Sequence, residues 1–143
     1  MDEVDKQILR NLAANSRVSL KVLASKVGLA APSTSDRLRR LEERGQITAY
    51  TINVDLQRLG YAVVAMVRIN PQPGKLRVVE RLIVANAAII ECDKVTGEDC
   101  FFVRVCLKSL DDMDAVLEPF HDHAQTVTCI VKSQPVRRRL PPL

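Results

Sequence analysis

Residues 15–46, NSRVSLKVLASKVGLAAPSTSDRLRRLEERGQ, decide how the rest of the chain is read. Ser19 stands where a helix N-cap is wanted, and Leu20, Leu23, Ala24 and Val27 follow at i, i+3, i+4 and i+7, one face of a short helix. Gly28 stops it, because glycine accepts the positive φ of a helix C-terminus. Three residues, Gly28-Leu29-Ala30, separate this helix from a second run that starts near Ala31. Pro32 is tolerated there, since the first helical turn needs no N–H partner. In that run Thr34, Leu38 and Leu41 share a face, and Gly45 closes it. Helix, three-residue turn with glycine, helix is the helix-turn-helix pattern.

The second helix of the pair also has the surface that this pattern uses. With Thr34, Leu38 and Leu41 inward, the other side shows Ser33, Asp36, Arg40 and Glu43, flanked by Arg37 and Arg39, with Arg44 near the end. Residues 15–44 hold seven Lys/Arg against three acids. A helix entering the major groove by its N-terminal turn brings Ser33, Ser35, Asp36 and Arg37 nearest base edges. Arg37, Arg39, Arg40 and Arg44 reach phosphates, which fix position without reading sequence. The bland alternative for this charge run is a solvated helix face; the tight turn before it favours DNA.

Upstream, Asp2 and Asp5 open an apolar repeat at Val4, Ile8, Leu9 and Leu12, which predicts a capped helix ending near Ala14-Asn15 with acids where the helix dipole favours them. Downstream, Ile47 to Val54 is β-branched and alternating, and predicts a strand that forms a wing or a connection. Asp55 to Leu59 reads as one helical turn ended by Gly60.

From Tyr61 the pattern changes. Tyr61 to Ile69 is apolar on both alternating sets, so this strand is covered on both faces. A loop at residues 71–74 precedes a helix over 75–86. Strands over 89–96 and 100–107 flank a turn at Gly97-Glu98-Asp99, with Phe101, Val103, Val105 and Leu107 inward. Ser109 caps a helix with Leu110, Met113, Val116, Leu117 and Phe120 on one face, its last turn tightened by Pro119. A final strand spans 126–132. The order β-α-β-β-α-β is the ferredoxin-like split pattern. Its two helices cover one sheet face and leave the other bare, which predicts a sheet-to-sheet dimer. The fold class is therefore α+β: a helix-turn-helix domain over 1–46, a linker strand and turn over 47–60, a ferredoxin-like dimerisation domain over 61–134, and a tail over 135–143 whose Arg137, Arg138 and Arg139 read as solvated, with a secondary phosphate contact as the alternative.

Composition narrows the function. The chain has 143 residues, net charge +4, 47% apolar and 3% aromatic residues and no Trp. Few aromatics argue against single-stranded nucleic-acid modules built on stacking. No apolar run approaches the ~20 residues that span a bilayer, and the acidic, amphipathic start is unlike an export signal; a cytoplasmic protein is expected. Cys92, Cys100, Cys106 and Cys129 include no C-x-x-C pair, and His121 and His123 stand apart from most of them, so no metal site is expected and the cysteines read as buried, reduced thiols. No Ser/His/Asp, Cys/His, paired-carboxylate, phosphate-loop or dinucleotide pattern is present; Cys100 beside Asp99 has no His placed to activate it. No catalytic residue, enzyme activity or cofactor is expected.

Several segments together resemble the Lrp/AsnC (leucine-responsive/asparagine regulator) family of prokaryotic transcription factors: DEVDKQIL in the first helix, NSRVSLKVLASKVGL in the second, SDRLRRLEERGQITAYTINVD through the third helix and strand, LGY at residues 59–61, and VTGEDCFFV at residues 95–103. The resemblance spans nearly the whole chain. It implies a winged helix-turn-helix, a linker strand and a ferredoxin-like regulatory domain that dimerises, assembles further into tetramers or octamers, and takes an amino-acid effector between dimers. Two departures stand out. Relatives usually carry Ser-Pro where this chain has Ala30-Ala31, so the serine cap of the recognition helix is missing. Relatives carry Asp at the position of Cys100, near the effector pocket, where it can hold an α-amino group; a neutral thiol cannot. Gly97, Glu98, Asp99, Cys100, Thr126 and Thr128 are the candidate effector residues. Gly97 reads equally as a hairpin glycine needing positive φ, and the two threonines as exposed β-formers. The expected function is a sequence-specific, oligomeric regulator that binds double-stranded DNA under the influence of an amino acid or related small molecule. Its rival is a sensing or assembly protein of the same build without effective DNA binding.

Overall fold

A computed structural model of the chain describes residues 1–97 and 100–143. They form two compact units, one of residues 1–53 with 135–143, the other of residues 54–134.

The first unit is built on three helices, α1 (Glu3–Ala14), α2 (Leu20–Val27) and α3 (Ala31–Glu43). Ile8, Leu23, Val27 and Leu41 are buried against one another. Fully burying an aliphatic side chain of this size contributes about 1.5–3 kcal/mol. Asp2 and Ser19 cap α1 and α2 as their positions predict, and Gly28 ends α2 in the left-handed region at φ 70°. Leu20, expected on the inner face of α2, is instead 38% exposed, because it lines an open apolar cleft with Leu12, Val18 and Leu38 rather than the closed core. The strand expected at residues 47–54 is not formed. Ile47 packs on the helical core, but Tyr50, Ile52 and Val54 stand exposed. An extended run needs a ladder partner, and among the described residues this segment has none. The helical turn at residues 55–59 is present, closed by Tyr61 N–H on Leu56 O at 2.9 Å.

The second unit is a four-stranded antiparallel sheet in the order β2-β3-β1-β4. Its strands are β1 (Val63–Pro71), β2 (Ile89–Lys94), β3 (Phe101–Leu107) and β4 (Ala124–Ile130). Helix α4 (Leu76–Ala85) links β1 to β2, and α5 (Met113–Leu117), with a 3₁₀ turn on each side, links β3 to β4. This is the expected βαββαβ arrangement. In β1, Ala65, Val67 and Ile69 oppose Val105, Val103 and Phe101 of β3 and Ile130, Thr128 and Thr126 of β4. Val79 and Ile83 of α4, with Met113 and Phe120, close the core over this face. Leu110, expected on the inner face, is 58% exposed because it lies in the 3₁₀ turn before α5 rather than in the helix. The alternate residues point away: Val64, Met66 and Arg68 in β1, Phe102 and Arg104 in β3, Val127 and Cys129 in β4. Of the four cysteines Cys106 alone is buried; Cys92 and Cys129 are exposed and Cys100 is half-buried, against the expectation of a buried set.

Candidate nucleic-acid interface

Helix α3 begins on Ala30, whose backbone takes N-cap geometry but whose side chain offers no cap. The turn into it is set by Gly28: its N–H and that of Leu29 bond back to Ser25 O and Ala24 O at 3.4 and 3.0 Å. A residue with a Cβ would be strained at this φ. Thr34, fully buried, donates its hydroxyl to Ala30 O at 3.1 Å, so the polar group on the inner face is satisfied within its own helix.

The outer face is divided between free and engaged groups. Ser33, Ser35, Asp36, Arg39, Arg40 and Arg44 are exposed. Arg39 makes long pairs with Asp36 at 3.5 Å and Glu43 at 3.9 Å, and Arg40 Nε donates to Asp36 O at 3.2 Å. Exposed pairs of this kind contribute about 0–1 kcal/mol, so a phosphate can replace them. Arg37 differs. Its Nη1 lies 2.6 Å from Asp2 Oδ2 and 2.8 Å from Asp5 Oδ1. The same two acids form the capping box of α1: Asp5 N–H donates to Asp2 Oδ1 at 2.9 Å, and Asp2 N–H to Asp5 Oδ2 at 3.1 Å. The bond from the Asp5 N–H, then that from Arg37, hold the Asp2 carboxyl below its ordinary range, and the two carboxylates, Asp2 first, raise the Arg37 guanidinium above its own. The acids of the first turn therefore cap α1 and fasten α3 to it. Sequence reading gives these acids the cap and the helix dipole but not the tie to Arg37, because a contact across 32 and 35 residues leaves no periodic trace.

Beside this cluster lies a polar cleft of about 260 Å³ lined by Asp2, Asp5, Arg37, Arg40, Arg44 and Gln46. A second, apolar cleft of about 310 Å³ is lined by Leu12, Val18, Leu20, Leu38 and Tyr50 among others. The Tyr50 hydroxyl donates to Glu42 Oε1 at 2.7 Å; burial, then this carboxylate, push the phenol up to about 12. Tyr50 thus ties the segment after α3 to the back of that helix, a contact that reading residues 47–54 as a strand does not anticipate.

The candidate effector residues lie in the other unit. Gly97 has φ 119°, the positive φ expected of it. Glu98 and Asp99 lie outside the described residues. Cys100 is half-buried against the sheet core, and its carbonyl accepts from Val95 N–H at 2.9 Å. Thr126 is half-buried and Thr128 exposed, opposite Ile69 and Val67. Since β1 separates β3 from β4, Cys100 at the start of β3 and these threonines are about 10 Å apart across the sheet. They share a sheet end without meeting in one protomer. Among the described residues, neither cleft above includes Gly97, Cys100, Thr126 or Thr128. Among the described residues no group of three His, Cys, Asp or Glu could hold a metal ion, and no helix is long and apolar enough to cross a membrane.

A helix-turn-helix with an exposed cationic second helix, followed by a ferredoxin-like α+β unit, is the build of a DNA-binding transcriptional regulator with a separate ligand-binding domain. The comparisons with known proteins agree over both units. A winged helix-turn-helix DNA-binding model matches residues 1–48, and an Lrp/AsnC ligand binding domain model matches residues 63–141. The chain belongs to the Lrp/AsnC family of transcriptional regulators. The Bkd operon transcriptional regulator of Pseudomonas aeruginosa is 37% identical over 133 residues, 91% of this chain and 83% of that protein. The regulator LrpC of Bacillus subtilis is 29% identical over 94% of this chain and 93% of its own; its structure superposes with a TM-score of 0.91 at 28% identity, covering 96% of this chain and 99% of that one. A feast or famine regulatory protein of M. tuberculosis, solved with L-methionine, matches with a TM-score of 0.84 and 26% identity over 98% of this chain and 97% of that one.

Proposed function

We propose that α3 reads the major groove with Ser33, Ser35 and Asp36 at base edges, while Arg39, Arg40 and Arg44 contact phosphates. Arg37, grouped with the reading residues on sequence, holds α3 on α1 through Asp2 and Asp5 and acts as a positioning residue. The observation that carries this reading is the exposed cationic face of α3 behind the Gly28 turn. A dimer presents two such helices about 34 Å apart on a pseudo-palindromic site. The open sheet face, with Val64, Met66, Phe102 and Val127, supplies an apolar surface for that pairing, and tetramers or octamers extend it.

The effector reading rests on Gly97, Glu98, Asp99, Cys100, Thr126 and Thr128, for which a site between copies brings the two sheet regions together. An amino acid or related molecule would act by binding one assembly state better than another, a coupling of about 1–3 kcal/mol. The protein acts in the cytoplasm through binding, without catalysis.

Fluorescence anisotropy on the chain's own upstream duplex tests the DNA reading. Affinity is expected to fall at least about tenfold in Arg40→Ala/Arg44→Ala, with a shallower salt slope; unchanged binding would overturn the residue assignment. No duplex binding by the unaltered protein at low salt would favour the assembly-only alternative. A thermal-shift series with the common amino acids, L-methionine included, tests the effector: no stabilisation at millimolar ligand counts against it.

A further inference from the structure

Residues 135–143 contain three Arg, three Pro and no acid. They follow the last strand of the sheet unit, yet they belong to the same compact unit as residues 1–53. Arg10 of α1 fixes their far end: its Nη2 donates to Leu143 O at 2.8 Å, while its Nη1 is held by Glu3 Oε1 at 2.7 Å. Leu143 is half-buried there. Between this anchor and the sheet, Arg137, Arg138 and Arg139 are exposed, and among the described residues none is in an ion pair. Arg10, Arg37 and Arg39 of the same unit all have carboxylate partners.

The placement changes the electrostatics of one unit alone. Residues 1–53 hold nine Lys/Arg against six acids, net +3; with the tail the count is twelve against six, net +6. The other unit holds nine against eleven, net −2. Three guanidinium groups with no ion pair among the described residues, on the cationic unit, match a polyanion rather than a patch of this protein. Guanidinium is the side-chain group best suited to bidentate phosphate contact. Proline restricts φ, so Pro135, Pro141 and Pro142 lower the conformational freedom lost when such a segment settles on a surface.

We propose that the Arg137-Arg138-Arg139 segment is a second duplex contact, a clamp on backbone phosphates flanking the half-site that α3 reads. The proposal rests on the DNA-binding reading above. It adds affinity without base discrimination, because phosphates carry no sequence.

The test compares the unaltered protein with Arg137→Gln/Arg138→Gln/Arg139→Gln on one duplex from 50 to 200 mM salt. Each phosphate contact contributes about 0.9 to the slope of log affinity against log salt, so the slope is expected to flatten by about 1–3 per bound protomer. The ratio of operator to unrelated-duplex affinity is expected to stay constant, and the melting midpoint unchanged. Equal slopes and affinities for the two proteins would overturn the clamp while leaving the α3 reading intact. A flattened slope accompanied by a lowered melting midpoint would assign the tail a structural duty and also overturn it. Failure of the unaltered protein to bind any duplex at low salt would overturn both readings. Arg10→Ala, which frees the anchor but keeps the charges, is expected to lose less affinity than the triple variant.

Discussion

The helical unit closes its core and leaves charge outside; the sheet unit covers one face and leaves an apolar one open. In the first, Ile8, Leu23, Val27 and Leu41 are enclosed by three helices, and the surface, tail included, is net +6. In the second, Val127 stays 45% exposed and Val64, Met66 and Phe102 half-exposed on the face opposite a buried core, with net charge −2. The difference teaches what each unit lacks. A closed, cationic unit wants a polyanion, whose attraction acts through charge and weakens with salt. A half-covered sheet of low net charge wants apolar area, which the proposed pairing with a second copy would supply independently of salt.

The largest expected effect comes from opening the closed unit. Leu23 is 1% exposed, and Leu23→Ala is expected to cost about 2–5 kcal/mol through lost burial and the cavity left behind. Duplex binding should be lost while the mass by light scattering stays that of the unaltered assembly. If the assembly falls apart as well, the two units are not separable. The converse variant is Val127→Glu on the open sheet face, where a charge must be desolvated if a second copy covers it. Light scattering should then show a smaller assembly, with the far-UV circular dichroism unchanged. Unchanged mass would mean that this face is not the one that pairs.

How much of this was legible in the sequence differs between the units for a physical reason. Periodicity finds faces, so the helices, the split βαββαβ order and the inward set Phe101, Val103, Val105 and Leu107 follow from spacing. It finds Gly28 because a left-handed C-cap is a local demand. It misplaces Leu110, since a 3₁₀ turn has three residues per turn rather than 3.6 and swings that side chain outward. It reads residues 47–54 as a strand because their β-branched pattern is real, while strand formation also requires a partner that no local pattern contains. At the site, the exposed arginines of α3 are legible from composition and face. The separate duty of Arg37 is not, because its partners Asp2 and Asp5 lie far away in sequence.

That contact gives a smaller, more selective prediction. Arg37→Ala is expected to lower the melting midpoint and weaken duplex binding with the salt slope unchanged, because a positioning residue neutralises no phosphate. A slope that flattens as in Arg40→Ala/Arg44→Ala would return Arg37 to the DNA. The acid side of the stability profile checks the same tie. Asp2 has a folded-state pKa below its ordinary 3.8, so the stability it contributes is present above that value and is lost as pH falls through the lowered one. Removing the Arg37 partner should shrink that acid-side loss, measured by denaturant melts between neutral pH and pH 3.

The smallest effect concerns the missing cap of α3, and a neighbouring helix supplies its control. Ser19 caps α2 with backbone φ −68° and ψ 150°, and its hydroxyl accepts from Val22 N–H at 3.3 Å. Ala30 has φ −68° and ψ 149°, the same conformation without the hydroxyl. Ala30→Ser therefore needs no backbone change. The added oxygen would reach the Ser33 N–H, the donor that matters here because Pro32, one residue earlier, has none. The expected gain is about 1 kcal/mol, and Ser19→Ala should lose a similar amount. Because the cap acts on the helical unit alone, the gain should move the transition of that unit in a two-probe melt and leave the sheet transition where it is. A shift of both transitions together would show that the units unfold as one, and would erase the contrast between a closed unit and an open one as a statement about stability.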